Sequence, residues 1–188
     1  MNKLLMIIDP QIDFITGTLP VPNAETAMDA LAKYVAERSQ DYTEIIITAD
    51  RHPFDHCSFK EYGGPWPRHC VHDSVGAAVW QPIMEALYKA PCESVFLYKG
   101  LNPATEEYSI FKNRESAAEI DRIIKDKKIE KIDICGLAGD VCVADTITDG
   151  IDRYGAEIFK VLPQYSPSID GGERLSKLIN KYGLSCHR

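Results

Sequence analysis

The chain has 188 residues, 45 % of them hydrophobic, which is long enough for a substantial core, and no linker or composition shift divides it, so one domain over residues 1–188 is expected. A formal net charge of −7 without a basic run argues against nucleic acid and acidic membrane surfaces, since neutralising phosphates needs clustered Lys and Arg; a small-molecule substrate is favoured, and a homo-oligomer is left open. No run approaches the ~18 apolar residues of a membrane span, the apolar part of MNKLLMIID is too short for a signal peptide, and the six cysteines lack the spacing of a disulfide scaffold, so reduced thiols in a cytoplasm are expected.

Leu4 to Ile8 is a continuous apolar run stopped at Asp9-Pro10 and reads as a strand buried on both faces. The next stretch, QIDFITGTLPVPNA, gathers Gly17, Pro20, Pro22 and Asn23 into a loop, with Asn23 as N-cap of a helix. That helix runs from Ala24 to Arg38, with Ala27, Met28, Leu31 and Val35 at helical spacing. Glu44 to Thr48 is a β-branched second strand leading to Asp50, and a Pro-, Gly- and aromatic-rich region follows to about Gly76. Loops of such length inside compact domains are usually functional. Val79 to Tyr88 predicts a short helix, and Ser94 to Tyr98 a third strand that delivers Lys99 and Gly100.

Arg114 to Lys128 is helical by period, with Ala117, Ile120, Ile123 and Ile124 as its buried stripe. Lys131 to Cys135 is a fourth strand, Val143 to Tyr154 a helix stopped by Gly155, and Ala156 to Val161 a fifth strand. Gly171 to Tyr182 predicts the last helix, and Leu184 to Arg188 a short edge strand. Strands alternating with helices predict a three-layer α/β/α, Rossmann-like fold with a mostly parallel, six-stranded sheet and right-handed crossovers. In such sheets the site lies beyond the carboxyl ends of the strands, where strand order reverses.

Asp9, Asp50, Lys99 and Cys142 all fall at or just past the ends of the first four strands. A thiol at a strand-to-helix turn sits near unpaired N–H groups and a positive helix end, which favour a thiolate and can hold an oxyanion. Cys142, Asp9 and Lys99 thus form a nucleophile set: a thiol, a carboxylate to take its proton, and a cation. Singly, each has an ordinary explanation: a buried small hydrophobe, a strand terminator and a solvated amine. Their shared placement favours the joint reading.

Four of the five histidines (His52, His56, His69 and His72) lie in the one long loop region. Asp50 and His52 alternate, so an extended segment points both to one side, and Pro53 favours that state. His69 would complete a carboxylate and two imidazoles with positions open for water or substrate, as in catalytic metal sites; hydrogen-bonded or exposed loop histidines are the alternative. No C-x₂-C pair suggests a structural zinc knuckle. Phe14, Trp66 and Tyr108, on three loops, are candidate walls for a flat substrate.

These residues sit in motifs that run nearly end to end: IIDPQIDF at 7–14, LPVPNA at 19–24, TADRHPFDHCSF at 48–59, GGPWPRHCV at 63–71, YKG at 98–100, EYSIF at 107–111 and GLAGDVCVADT at 136–146. In this order they resemble the nicotinamidase/pyrazinamidase group of the isochorismatase-like cysteine hydrolases. The resemblance implies an amidase of NAD salvage that deaminates nicotinamide, with Cys142 as nucleophile, Asp9 as general base and Lys99 as the neighbouring cation. It implies one divalent ion on Asp50, His52 and His69, zinc first with iron or manganese as alternatives, and His56 as a ligand or a supporting residue. Phe14 and Trp66 would sandwich the ring. A cis peptide is implied at Ala138–Gly139, turning the Ala138 N–H toward an oxyanion together with that of Cys142. Departures are His72-Asp73-Ser74 in place of a polar-Gly-Thr turn, Gly139 where larger residues are common, and Ile12 in place of a polar residue. Alternatives are a pyrazinamide-type or N-carbamoyl amidase of the same fold, or a silent ligand- or metal-binding member.

Overall fold

A computed structural model describes residues 1–186 and shows a six-stranded, wholly parallel sheet in the order β3-β2-β1-β4-β5-β6. The strands are β1 (Lys3–Ile8), β2 (Glu44–Asp50), β3 (Glu93–Lys99), β4 (Lys131–Gly136), β5 (Phe159–Val161) and β6 (Ser185–Cys186). The helices are α1 (Ile12–Ile15), α2 (Ala24–Arg38), α3 (Gln81–Leu87), α4 (Arg114–Asp126), α5 (Ala144–Tyr154) and α6 (Glu173–Tyr182). None of them is long and apolar enough to cross a membrane.

The central strand explains the three layers. Along β1, Leu5 and Ile7 join a core with α2 and α3, whereas Leu4, Met6 and Ile8 join a second core with α4, α5 and α6. Alternate side chains of a strand face opposite sides, so an unbroken apolar run requires cover on both. Order reverses between β1 and β4, whose register runs from Lys3 opposite Lys131 to Ile8 opposite Gly136. The ends of β1 and β4 therefore part into the crevice where such sheets bind ligands.

Several sequence expectations change in detail. Asn23 precedes α2 but its side chain makes no capping bond; it has φ 64°, a conformation Asn tolerates, and serves the turn instead. The loop after β1 contains α1, and the fifth strand begins at Phe159 because Ala156–Ile158 form a 3-10 turn. β6 is confined to Ser185–Cys186, and the part of the expected edge strand at His187 and Arg188 lies outside the described residues. The cis peptide is Leu137–Ala138, one bond earlier than expected, immediately beyond the last residue of β4.

Candidate active site

Lys99, the last residue of β3, is fully buried beneath the crevice rather than solvated. Its Nζ lies 2.8 Å from Asp9 Oδ2, 2.6 Å from Asp50 Oδ1 and 3.6 Å from Cys142 Sγ. One ammonium thus joins the ends of β1, β2 and β3 to the turn after β4. Burial alone would push the Lys99 pKa down, but Asp50 and Asp9 outweigh it and hold the pKa well above the usual lysine value.

Asp9 has φ 46°, and its Oδ1 accepts from Thr48 Oγ1 at 2.6 Å. Burial raises the Asp9 pKa although Lys99 opposes the shift. Burial likewise pushes the Cys142 thiol up, with Lys99 opposing the shift and the nearby carboxylates of Asp9 and Asp50 adding to it. Burial thus works against the thiolate that a helix end alone would favour. The thiol precedes α5 within a π-turn, Gly139–Val143, and is enclosed by two carboxylates whose acceptor atoms lie within 4.8 Å of its sulfur. A proton on sulfur has a base beside it.

The second cluster is contiguous with the first. Acceptor atoms of Asp50, His52 and His69, all buried, lie within 4.8 Å of one another. The His52 Nδ1 faces the Gly100 carbonyl at 3.0 Å and the His69 Nδ1 faces that of Pro67 at 2.8 Å. Each ring donating there turns its Nε2 lone pair toward the cluster. The His52 Nε2 is buried without a hydrogen-bond partner, and burial beside His56 and His69 lowers its pKa to about 3. A neutral imidazole with an orphaned lone pair, a second imidazole and a carboxylate make a donor set that fits a divalent ion. His56 differs, since both nitrogens are engaged, Nδ1 with Ser58 Oγ at 2.7 Å and Nε2 with the Thr105 carbonyl at 3.1 Å. It supports His52 by stacking on it with ring centroids 4.0 Å apart. His72 stands apart, paired with Asp73 at 3.0 Å.

Phe14, Trp66 and Tyr108 line one cavity with Asp50, His69 and Cys142. Trp66 Nε1 donates to the Tyr108 hydroxyl at 2.9 Å, which fixes two walls, and the Phe14 ring stands 5.5 Å from that of His69. Ala138 also lines the cavity. Its carbonyl accepts from Val141 and Val143, while its N–H makes none of the turn's backbone bonds.

Residues that sequence reasoning passed over hold these groups. The buried Gln11 accepts from Asp50 N–H at 2.8 Å and donates to the Asp50 carbonyl at 2.9 Å, clamping the end of β2 by both backbone groups. Asp13 accepts from Cys70 N–H at 2.7 Å and Thr18 N–H at 3.1 Å, so it anchors the residue after His69. Glu107 accepts from Gly100 N–H at 2.8 Å, steadying the carbonyl that orients His52. Gly100 has φ 67°, and a Cβ there would come within 2.4 Å of the His52 ring, so glycine alone fits. Glu106 lines the cavity, and burial near Asp50 pushes its pKa up to about 7. Glu107 opens the EYSIF motif, but neither its bond to Gly100 nor the burial of Glu106 is written in the sequence.

The Isochorismatase domain family matches residues 3–161. The nicotinamidase/pyrazinamidase of Mycobacterium tuberculosis is 32 % identical over 154 residues, covering 79 % of this chain and 78 % of that protein. Among solved structures, the pyrazinamidase of Pyrococcus horikoshii in complex with zinc superposes with a TM-score of 0.84 at 28 % identity, over 100 % of this chain and 99 % of that one. PnC1 from L. infantum in complex with nicotinate gives a TM-score of 0.82 at 25 % identity, over 100 % and 92 %. With the family matched across most of its length, and a parallel sheet of the same architecture, this chain belongs to the isochorismatase-domain family.

Proposed function

We propose that this chain is an amidase that hydrolyses nicotinamide to nicotinate and ammonia through a thioester on Cys142. The observation that carries the reading is the position of Lys99 Nζ, 2.8 Å from Asp9 and 3.6 Å from Cys142, the thiol that lines an aromatic-walled cavity. The names borne by the Mycobacterium tuberculosis relative and the nicotinate complex of the L. infantum protein support the same substrate.

The Cys142 proton passes to Asp9 as Sγ attacks the carboxamide carbon. The resulting oxyanion lies toward the N–H groups of Ala138 and Cys142. Asp9, its pKa already raised by burial, returns the proton to the leaving nitrogen, which departs as ammonia. In the second half Asp9 takes a proton from water, whose oxygen attacks the thioester carbon; the sulfur leaves and recovers that proton from Asp9, and the acid departs and loses its own proton to solvent as nicotinate. Lys99 stays charged throughout and offsets the negative charge shared by Asp9 and sulfur. Phe14 and Trp66 hold the ring, and Tyr108 fixes Trp66.

Asp50, His52 and His69 would hold one divalent ion. Zinc is the first choice because the Pyrococcus horikoshii relative is described with zinc, and iron or manganese suit the same donors. Bound there, the ion supplies a Lewis-acidic anchor for a ring nitrogen. The test is ammonia release by the purified protein from nicotinamide and from pyrazinamide, with and without chelator. Release that falls on chelation and returns with zinc is expected, and no release from either amide under any metal refutes the proposal.

A further inference from the structure

The turn that carries Cys142 is fastened to the connection between β5 and α6. Gly139 N–H donates to the Pro167 carbonyl at 2.9 Å. A Cβ on Gly139 would lie 2.3 Å from the Ser166 carbonyl oxygen and 2.4 Å from Ser168 Oγ, so this approach is open only to glycine. The next residue, Asp140, is buried and receives Ile169 N–H on one carboxylate oxygen and Asp170 N–H on the other, each at 3.0 Å. Arg174 locks the far side, donating to the Asp140 carbonyl at 2.6 Å, while Asp170 accepts from Gly172 N–H at 2.7 Å and Arg174 N–H at 2.8 Å at the start of α6.

These bonds set one side chain. Ile169 lines the same cavity as Cys142, Phe14 and Trp66, yet it is 45 % exposed. Behind it the connection borders an open groove against Pro22 and Asn23, and Gly171 and Gly172 have nothing within 4 Å of where a Cβ would be. Packing does not hold the segment from that side, so the polar clamp does. An exposed, branched apolar side chain whose backbone is held by the buried Asp140 at a cavity wall is placed to meet a ligand.

We propose that Ile169 is a specificity-determining residue, an apolar wall that admits an unsubstituted six-membered heteroaromatic carboxamide and rejects one bearing a further ring substituent. Asp140 is a positioning residue that acts through Ile169, and Gly139 permits the close approach. The proposal rests on the amidase reading above. A wall that is stiff because its backbone is clamped discriminates by overlap, and one methyl group at such a wall is commonly worth about 10- to 200-fold in kcat/KM.

The test compares nicotinamide with 5-methyl- and 6-methylnicotinamide in the metal-loaded full chain, reading ammonia. For at least one methylated amide, Ile169→Ala is expected to raise the kcat/KM ratio to nicotinamide about tenfold or more, chiefly through KM. Asp140→Ala is expected to move the same ratio in the same direction, with no further gain when combined with Ile169→Ala. Asp140→Asn, which keeps one acceptor, is expected to give an intermediate ratio and serves if the alanine variant does not fold. Parent turnover of nicotinamide with unchanged ratios in Ile169→Ala overturns the wall. An equal loss for all three amides in the Asp140 variants overturns its positioning role. Failure of the parent chain to release ammonia from any of the amides overturns the amidase reading and this proposal with it.

Discussion

Lys99→Met replaces the buried ammonium by an apolar side chain of similar length and leaves Asp9 and Asp50, 0 % and 4 % exposed, without their shared cation. Removing one partner of a buried ion pair costs about 3–5 kcal/mol, and because Lys99 serves two carboxylates the upper part of that range applies near pH 8. At an ordinary urea dependence this lowers the unfolding midpoint by roughly 2 M. Asp9→Asn in the Lys99→Met background removes one stranded charge and should recover about 1.5 kcal/mol or more, a coupling expected of groups in contact. The sign of the pH dependence is fixed by Asp9, whose folded pKa burial already raises and loss of Lys99 raises further. The folded state then holds a proton that the unfolded chain releases, so the deficit of Lys99→Met shrinks as pH falls from about 8 to 5. A cost below about 1 kcal/mol, or one that does not change with pH, refutes the description of Lys99 as the cation shared by both clusters.

In metal-free protein, His52 is neutral when folded, its pKa lowered by burial to about 3, whereas the unfolded chain takes up a proton below ~6.5. Its contribution to stability is full above that value and is lost as pH falls, by roughly 1.4 kcal/mol per unit. Glu106 acts in the opposite sense because its pKa is raised, so the informative quantity is the difference from His52→Gln in chemical denaturation at several pH values. Equal slopes in the two proteins contradict the assignment. Gln11→Leu strands the buried backbone groups of Asp50 and should cost about 2–4 kcal/mol while weakening zinc binding measured by calorimetry; undiminished zinc affinity argues against Gln11 as the clamp of β2. Asp13→Ala removes the acceptor of Cys70 N–H and should likewise lower zinc affinity through His69, with unchanged affinity showing that the Cys70 anchor does not position that ligand.

The strand ends were readable in the sequence because burial on both faces writes itself as unbroken apolar runs, and the residue ending each run must then face the crevice. Asp9, Asp50, Lys99 and Cys142 came into view this way. The burial of Lys99 did not, because it depends on two carboxylates delivered by other strands, and a lone lysine after a strand reads as solvated. For the same reason the thiol was expected to ionise at a helix end: helix geometry is local, while the desolvation that opposes it comes from the whole fold. Gln11 and Asp13 look like ordinary loop polar residues until the segments they bind, residues 50 and 70, are folded onto them. The motifs located the turn before Cys142, but not the bond within it that is cis, which lies at Leu137–Ala138.

Cys142→Ala tests the central claim most directly, with ammonia release from nicotinamide and calorimetric binding of nicotinate measured on the same zinc-loaded protein. Loss of ammonia release to background with binding retained is the predicted result. Turnover within tenfold of the parent chain contradicts a covalent role for Cys142.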